Sequence, residues 1–147
     1  MRETSAGSRQ RAVPMLSYED VGAAVEWLVR AFGFREIAER FTDEKGRVTH
    51  AELDLDGAHV MLGWPGPDYQ DPGRHAAVCE YAQKWLDVPW VIDGVLVYVD
   101  DVDAHAERAR AAGATILRGP ETNPVGRLYS AADVAGHRWM FMEAPGR

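Results

Sequence analysis

The apolar and polar residues of this chain alternate with two different periods, and the order of those periods predicts its secondary structure. In residues 21–32 the apolar side chains recur at helical spacing, directly after Asp20, a residue type that favours the N-cap. Around this helix, period-two alternation predicts strands, and Asp56-Gly57 is a strong hairpin signal between two of them. The predicted strands of this half are 13–18, 34–41, 47–55 and 58–63.

The second half of the chain repeats this order of elements. A helix is predicted over 102–112, and a closing hairpin over 127–142 has its turn at Asp133–Gly136. The stretch 119–126 between them is rich in Pro and Gly and is predicted to be a loop. The predicted strands outside the first arm of the hairpin are 94–99, 114–117 and 137–142.

Identical residues at matching positions indicate that the two halves are repeats of one unit. A shift of 81 residues aligns identical residues around the helices, and a shift of 79 aligns them around the hairpins. The pairs are Asp20/Asp101, Val21/Val102, Ala23/Ala104, Glu26/Glu107, Ala31/Ala112, Asp54/Asp133, Gly57/Gly136 and Met61/Met140. The sequence therefore predicts an α+β fold of two tandem βαβββ modules, at 13–63 and 94–144.

Residues 64–93 interrupt the repeat and are predicted to form an aromatic-rich linker. It begins with Pro and Gly, and its later spacing predicts one short helix over 75–86. Aromatic rings on such a connection either close over a cavity mouth, pack against a partner subunit or pin the linker to the body. Residues 1–12 are predicted to be a disordered tail, which leaves 13–144 as a single two-module domain.

Composition and charge narrow the classes of function. The net charge of -7 argues against nucleic acid and anionic membrane surfaces as partners, and it permits a neutral or cationic small ligand. No apolar run reaches the length of a membrane span. Cys79 is the single cysteine, which excludes an intramolecular disulfide and suits a reducing compartment, so we expect a cytoplasmic protein.

Three motifs resemble the vicinal oxygen chelate superfamily, which holds glyoxalases, bleomycin-resistance proteins and extradiol dioxygenases. They are Ala-Phe-Gly-Phe at 31–34, Tyr-Val-Asp-Asp-Val-Asp at 98–103, and a Gly-Arg-x-Tyr…Gly-His-x-Trp-x-Phe pattern across 126–141. The resemblance covers residues 13–144 and is closest to the glyoxalase/bleomycin-resistance-like branch. It implies two curved mixed sheets, each forming half of a cup around a ligand cavity, and a homodimer as the common assembly.

The resemblance also implies where metal-using relatives hold their ion, on the first and last strands of each module. In this chain those positions fall near Val13 and Gly94 and on Met61 and Met140. None of these side chains offers the nitrogen or oxygen that zinc, nickel, manganese or iron(II) prefers. The expectation is a protein with no metal and no other cofactor.

A different set of residues keeps metal binding open as an alternative. His50 and Glu52 share a face of one predicted strand, and His59 lies on the next strand. Imidazole and carboxylate are ligands that zinc and nickel accept, although polar residues on the outer face of a hairpin are common. Two further histidines are expected to have no role in ligand binding: His105 as a solvated helix residue and His137 as a turn residue bonded to backbone.

Strand parity predicts which side chains face the cup. It places Trp139 and Phe141 in the core, and the residues between them toward the ligand. The expected ligand-binding residues, linker tryptophans included, are Ser17, His59, Met61, Tyr98, Arg138, Met140, Met142, Trp64, Trp85 and Trp90. The set is mostly apolar with a few polar tips, which is typical of a cavity for a flat or hydrophobic molecule, although such residues also fill small sheet cores.

These observations favour a metal-free protein that binds and sequesters an antibiotic or another hydrophobic or cationic natural product. One alternative is a metal-dependent lyase, isomerase or dioxygenase of the glyoxalase type. Another is a metal-free enzyme that uses Tyr98, His59 or Arg138 on a bound substrate. No Gly-rich phosphate loop and no nucleophile elbow occurs in the sequence, and no catalytic residue is assigned.

Overall fold

The first module is built on one well-capped helix in the computed structural model, which describes residues 10–87 and 94–144. Helix α1, Val21–Phe32, begins after Asp20, whose side chain accepts a hydrogen bond from the backbone of Ala23, and it ends at Gly33. The strands are β1 (Met15–Ser17), β2 (Arg35–Glu36), β3 (Phe41–Thr42), β4 (Val48–Leu55) and β5 (Ala58–Gly63). They form a mixed sheet in the order β1-β5-β4-β2, with β3 also paired to β4 and β1 parallel to β5.

The linker contains two short helices where the sequence predicted one. Helix α2, Pro72–Val78, follows the N-cap Asp71, and helix α3, Glu80–Lys84, runs into a 3₁₀ turn at Trp85–Asp87. The single helix predicted over 75–86 is wrong because Cys79 adopts extended backbone angles, φ -131° and ψ 115°, which break the helical path. The helix begins before the predicted residue 75, because Asp71 is the N-cap and Pro72 occupies the first turn.

The second module repeats the plan of the first. Helix α4, Val102–Ala111, begins after Asp101, which caps the backbone of Ala104 at 3.0 Å, as Asp20 caps Ala23. The strands are β6 (Val95–Val99), β7 (Thr115–Asn123), β8 (Gly126–Ala132) and β9 (Arg138–Glu143). Their sheet has the order β6-β9-β8-β7 with β6 parallel to β9, so the predicted α+β class with two βαβββ modules and two mixed sheets is confirmed.

Two strand predictions are wrong in their extent. The strand predicted over 34–41 is divided into β2 and β3, and the pairing register with β4 shifts within β3 itself. The loop predicted over 119–126 is partly strand, since β7 continues to Asn123 and pairs with β8. Two register irregularities around Arg118 accommodate the Gly-Pro pair that follows it, which is why the turn signal did not end the strand.

The two modules share one core. Phe32, at the end of α1, packs edge-to-face against Trp139 and Phe141 of β9, with ring centroids 5.5 and 4.8 Å apart. Both β9 rings are fully buried, so parity placed them correctly. The inner face of each sheet meets the helices and this core, and we call the opposite side its outer face. None of the helices in the described ranges combines the length and the apolar character that crossing a bilayer requires.

Candidate functional site

The outer face of the first sheet combines methionines with polar side chains. Across the parallel β1–β5 pair Met15 lies opposite Met61, and across the β4–β5 pair Met61 lies opposite Glu52. His59 precedes Met61 by two residues and therefore shares its face. Met61 and His59 are half-buried, whereas Met15 is 76% exposed. This face is a partly open surface with an apolar row beside a polar one.

The outer face of the second sheet is more apolar. The parallel β6–β9 register sets Leu96 opposite Met140 and Tyr98 opposite Met142. The two methionines are half-buried, and Leu96 and Tyr98 are 45% and 49% exposed. Three side chains that parity assigned to the ligand, Tyr98, Met140 and Met142, are thereby brought together on one surface.

Glu52 stands between two histidines on the first outer face. His50 Nε2 lies 3.2 Å from Glu52 Oε2, with hydrogen-bond geometry, and His59 Nε2 lies 3.2 Å from Oε1. The second contact is close but lacks hydrogen-bond geometry, since within the described ranges the buried His59 Nε2 has no hydrogen-bond partner. The trio considered as an alternative metal site is thus assembled around one carboxylate, with a separate oxygen facing each imidazole.

The linker helices lie against the start of β9. Arg138 is buried, and its Nη2 donates to the carbonyl oxygen of Trp85 at 2.7 Å. The Tyr69 hydroxyl donates to the carbonyl of Ser17 at 3.2 Å, which ties the linker to β1. A cavity of about 250 Å³ lies between these elements, lined in part by His75 and Arg138. Arg138 therefore sits under the linker rather than on the open part of the outer face.

The three linker tryptophans have different situations. Trp64 packs against the hydrophobic core and carries the Arg47 guanidinium 4.0 Å above its ring centroid, as expected for a residue that pins the linker to the body. Trp85 is exposed and contacts Arg138 through its carbonyl oxygen. Trp90 lies outside the described residues.

Asp133 forms a polar centre between the modules that the sequence reasoning missed. Its buried carboxylate accepts hydrogen bonds from the Tyr18 hydroxyl at 2.6 Å and from Trp139 Nε1 at 3.0 Å. It also accepts from the backbone amides of Ala135 and His137. The N–H of a buried indole needs a hydrogen-bond acceptor, so the predicted core position of Trp139 was the sequence signal for an acceptor such as Asp133 beside it.

His105 is a half-buried link between the helices and the sheet, with a polar contact at each ring nitrogen, so the expected solvated position is wrong. Its Nδ1 lies 2.7 Å from the Tyr129 hydroxyl, and its Nε2 lies 2.7 Å from the carbonyl of Phe32. Burial lowers the pKa of His105, which favours a neutral ring that donates from Nε2 and accepts at Nδ1. The carbonyl of Phe32, at the end of α1, has no partner within the helix and requires a donor, which explains why His105 lies beside it. His137 Nε2 bonds the carbonyl of Ser17 at 2.7 Å, as its turn position predicted.

The positions that correspond to the family's metal ligands lack suitable donors. Met61 and Met140 lie on the two outer faces, opposite other apolar residues on the first strand of each module. Val13 and Gly94 precede those first strands. A thioether is a soft ligand, and valine and glycine offer no side-chain donor, so these residues do not fit a zinc, nickel or iron(II) ion.

One acidic cluster in the described ranges has structural partners. Oxygens of Asp101, Asp103 and Glu143 lie within 4.8 Å of one another. Each carboxylate already accepts a hydrogen bond, from Ala104, Arg127 and Val102 respectively. These contacts cap and secure the start of α4, which accounts for the grouping.

Comparison with known families and sequences gives a consistent assignment. Residues 12–141 match the model of the Glyoxalase/Bleomycin resistance protein/Dioxygenase superfamily. Two mycobacterial relatives, uncharacterized protein Mb0911c of Mycobacterium bovis and uncharacterized protein Rv0887c of Mycobacterium tuberculosis, are each 31% identical over 131 residues, or 86% of this chain. The match spans 78% of the first relative and 69% of the second.

Solved structures agree with this assignment. TioX from Micromonospora sp. ML1 superposes with a TM-score of 0.66 at 34% identity, covering 94% of this chain and 98% of TioX. TnmS3, described as an antibiotic binding protein from Streptomyces sp. CB03234, gives a TM-score of 0.60 at 22% identity, covering 91% and 96% of the two chains. At that identity the second likeness shows the fold alone.

Proposed function

Because the chain belongs to the glyoxalase/bleomycin resistance protein/dioxygenase superfamily, we propose that it is a metal-free protein that binds and sequesters a small organic molecule. The ligand is an antibiotic or another hydrophobic or cationic natural product, bound on the outer faces of the sheets. The observation that carries the proposal is where the methionines lie. Within residues 10–87 and 94–144 all four are on the outer faces: Met15, Met61, Met140 and Met142.

Methionines on a partly open sheet face support binding rather than core filling. Thioether side chains are flexible and polarizable, so they adapt to irregular ligands, whereas the core of this protein is filled by aromatic and branched residues. The proposed binding residues are Ser17, His59, Met61, Tyr98, Arg138, Met140, Met142, Trp64, Trp85 and, beyond the described residues, Trp90. The name of TnmS3, an antibiotic binding protein, supports the same class of function on this fold.

The exposed part of the outer faces supports a homodimer. Met15, Leu96 and Tyr98 present apolar surface on both sheets of a single chain. Large apolar side chains grouped on one surface commonly mark a contact site. A second copy that covers these faces would enclose a ligand against both. The lone cysteine favours a reducing compartment, and we place the dimer in the cytoplasm.

Native mass spectrometry of the purified chain, incubated with a small-molecule extract of its source cells, tests the proposal. The expected result is a dimer that retains a noncovalent organic mass. Met140→Lys places a charge on the second outer face and should abolish retention, because an ammonium there disfavours an apolar ligand. Val134→Lys is the matched control, since Val134 is an exposed apolar turn residue, and it should retain the mass. A wild-type protein that captures nothing, or a Met140→Lys variant that captures equally, contradicts the proposal.

A metal-dependent lyase, isomerase or dioxygenase is the second candidate, and the His50–Glu52–His59 group is the observation that favours it. The donor types suit zinc or nickel, but each imidazole faces a different oxygen of Glu52. Metal analysis of protein purified without chelator separates the two candidates. A stoichiometric amount of nickel, zinc or manganese would favour the enzyme over the metal-free binder.

A further inference from the structure

We propose that Glu52, held between His50 and His59, is the subsite that receives the cationic group of the ligand. The ligand class is an amine or guanidinium carried on an apolar body. This inference rests on the proposed binding function, and it adds a polar anchor on the first outer face. It also uses a residue that the predicted binding set did not include.

The surroundings of Glu52 leave room for a ligand donor. A carboxylate offers about four acceptor positions. In the described ranges its close side-chain contacts are the two imidazoles, of which only His50 has hydrogen-bond geometry. The Glu52 side chain is 25% exposed, so it is partly desolvated but still reachable from the outer face. A charged hydrogen bond at such a position is stronger than one at a fully solvated group.

The charges around Glu52 favour a cation over an anion. Asp54 lies on the same face, two residues along β4, and its carboxylate adds a second negative charge. The guanidinium of Arg35 is 3.7 Å from Asp54, and its side chain is 74% exposed. In the described ranges no lysine or arginine forms an ion pair with Glu52, and the guanidinium of Arg35 is directed toward Asp54 and solvent, which leaves Glu52 to attract a ligand cation.

The apolar neighbours of Glu52 specify the rest of the ligand. The strand register forms a row in which Glu52 is beside Met61 and Met61 is beside Met15. Two strand spacings place the ends of this row about 10 Å apart. A ring system of two fused rings resting on the methionines would bring an attached methylamine to the carboxylate. The expected ligand is therefore amphipathic, with its cation at one end of an apolar body.

Isothermal titration calorimetry of the full chain with a pair of probes tests the subsite. Naphthylmethylamine carries the cation, and naphthylmethanol is its neutral isostere. The amine should bind the wild-type protein about tenfold more tightly, because its ammonium brings a positive charge to the carboxylate, whereas the hydroxyl of the alcohol donates as a neutral group. In Glu52→Gln the two affinities should become equal, because the remaining carboxylate, Asp54, is paired with Arg35. Glu44→Gln, which removes an exposed carboxylate from a turn, should keep the tenfold preference. Unchanged thermal unfolding of both variants confirms that the comparison is between folded proteins.

The other outcomes contradict the subsite, and they separate its failure from the failure of the proposed binding function. Equal binding of the two probes to the wild-type protein refutes the anionic subsite and leaves the apolar site intact. A preference that persists in Glu52→Gln also refutes it. If neither probe binds while the cell extract yields a retained mass, the subsite is wrong and the binding function stands; if both fail, both proposals are wrong. Zinc chloride titrated alone supplies the last arm, since stoichiometric zinc binding that Glu52→Gln removes would assign the cluster to a metal instead.

Discussion

Replacing Asp133 by asparagine tests whether one buried carboxylate joins the two modules. Oδ1 accepts from two backbone amides, and Oδ2 accepts from the Tyr18 hydroxyl and Trp139 Nε1. An asparagine that keeps its oxygen on the backbone amides points its own NH₂ at the indole, which can only donate. One unpaired buried donor and the lost charge-assisted bond together cost about 3 kcal/mol of unfolding free energy. For a domain of this size the expected fall in Tm is about 9 °C.

Urea unfolding followed by tryptophan fluorescence measures the change, and a double-mutant cycle locates it. Tyr18→Phe alone should cost about 2 kcal/mol, because it removes a hydrogen bond to a charged group. In the double variant the two losses should fall short of their sum by about 1 kcal/mol, since they share one contact. Asp56→Asn, in an exposed turn, is the control and should change stability by less than about 0.5 kcal/mol. An Asp133→Asn variant as stable as that control, or strictly additive losses, would refute the reasoning.

Three further predictions concern single positions. The pKa of His105 is lowered from 6.5 by burial, so its stabilising effect is complete above about pH 6.5 and is lost as the pH falls through the folded-state pKa. His105→Gln should flatten that part of a urea-unfolding profile against pH. Gly136→Ala should cost about 3 kcal/mol in urea unfolding, because φ is +93° and the new Cβ would lie 2.6 Å from the backbone nitrogen of Gly73. Gly46→Ala, at φ +82° with open space around it, should cost only about 1 kcal/mol. Asp20→Ala removes the cap of α1 and should lower Tm by about 3 °C.

The fold was predictable wherever local signals and periodicity agreed. Helix α1 has a capping aspartate, a regular apolar stripe and a terminal glycine, and its observed bounds match the prediction. The Asp56-Gly57 hairpin is also as predicted, with positive φ at both residues. The errors occur where pairing with a neighbouring strand overrides a local signal. In β7, pairing with β8 carries the strand past Gly119-Pro120, and no local rule contains that information.

Strand alternation predicted which side chains of the candidate site share a sheet face, but it did not predict their tertiary contacts. Alternation along β9 correctly separated the core ring Trp139 from the outer-face side chain of Met140. It did not place Arg138 beneath the linker, because the path of a Pro- and Gly-rich connection cannot be read from periodicity. Strand alternation grouped His50, Glu52 and His59 on neighbouring strands, but it did not show which oxygen of Glu52 each imidazole faces, since that depends on side-chain directions across β4 and β5.

The closing strands of the two modules carry different surfaces on equivalent positions. Met61 and Met140 occupy equivalent places, each on the last strand and each opposite an apolar residue of a parallel first strand. Their antiparallel partners differ, since Glu52 lies opposite Met61 and Ser130 lies opposite Met140. The buried serine adds no charge beside Met140, whereas the glutamate, 25% exposed, adds a negative charge beside Met61. A ligand enclosed between one face of each kind would be selected by its apolar body on the second sheet and by its charge on the first. A change at Glu52 should therefore alter which ligands bind, while a change at Met140 should weaken the binding of all of them.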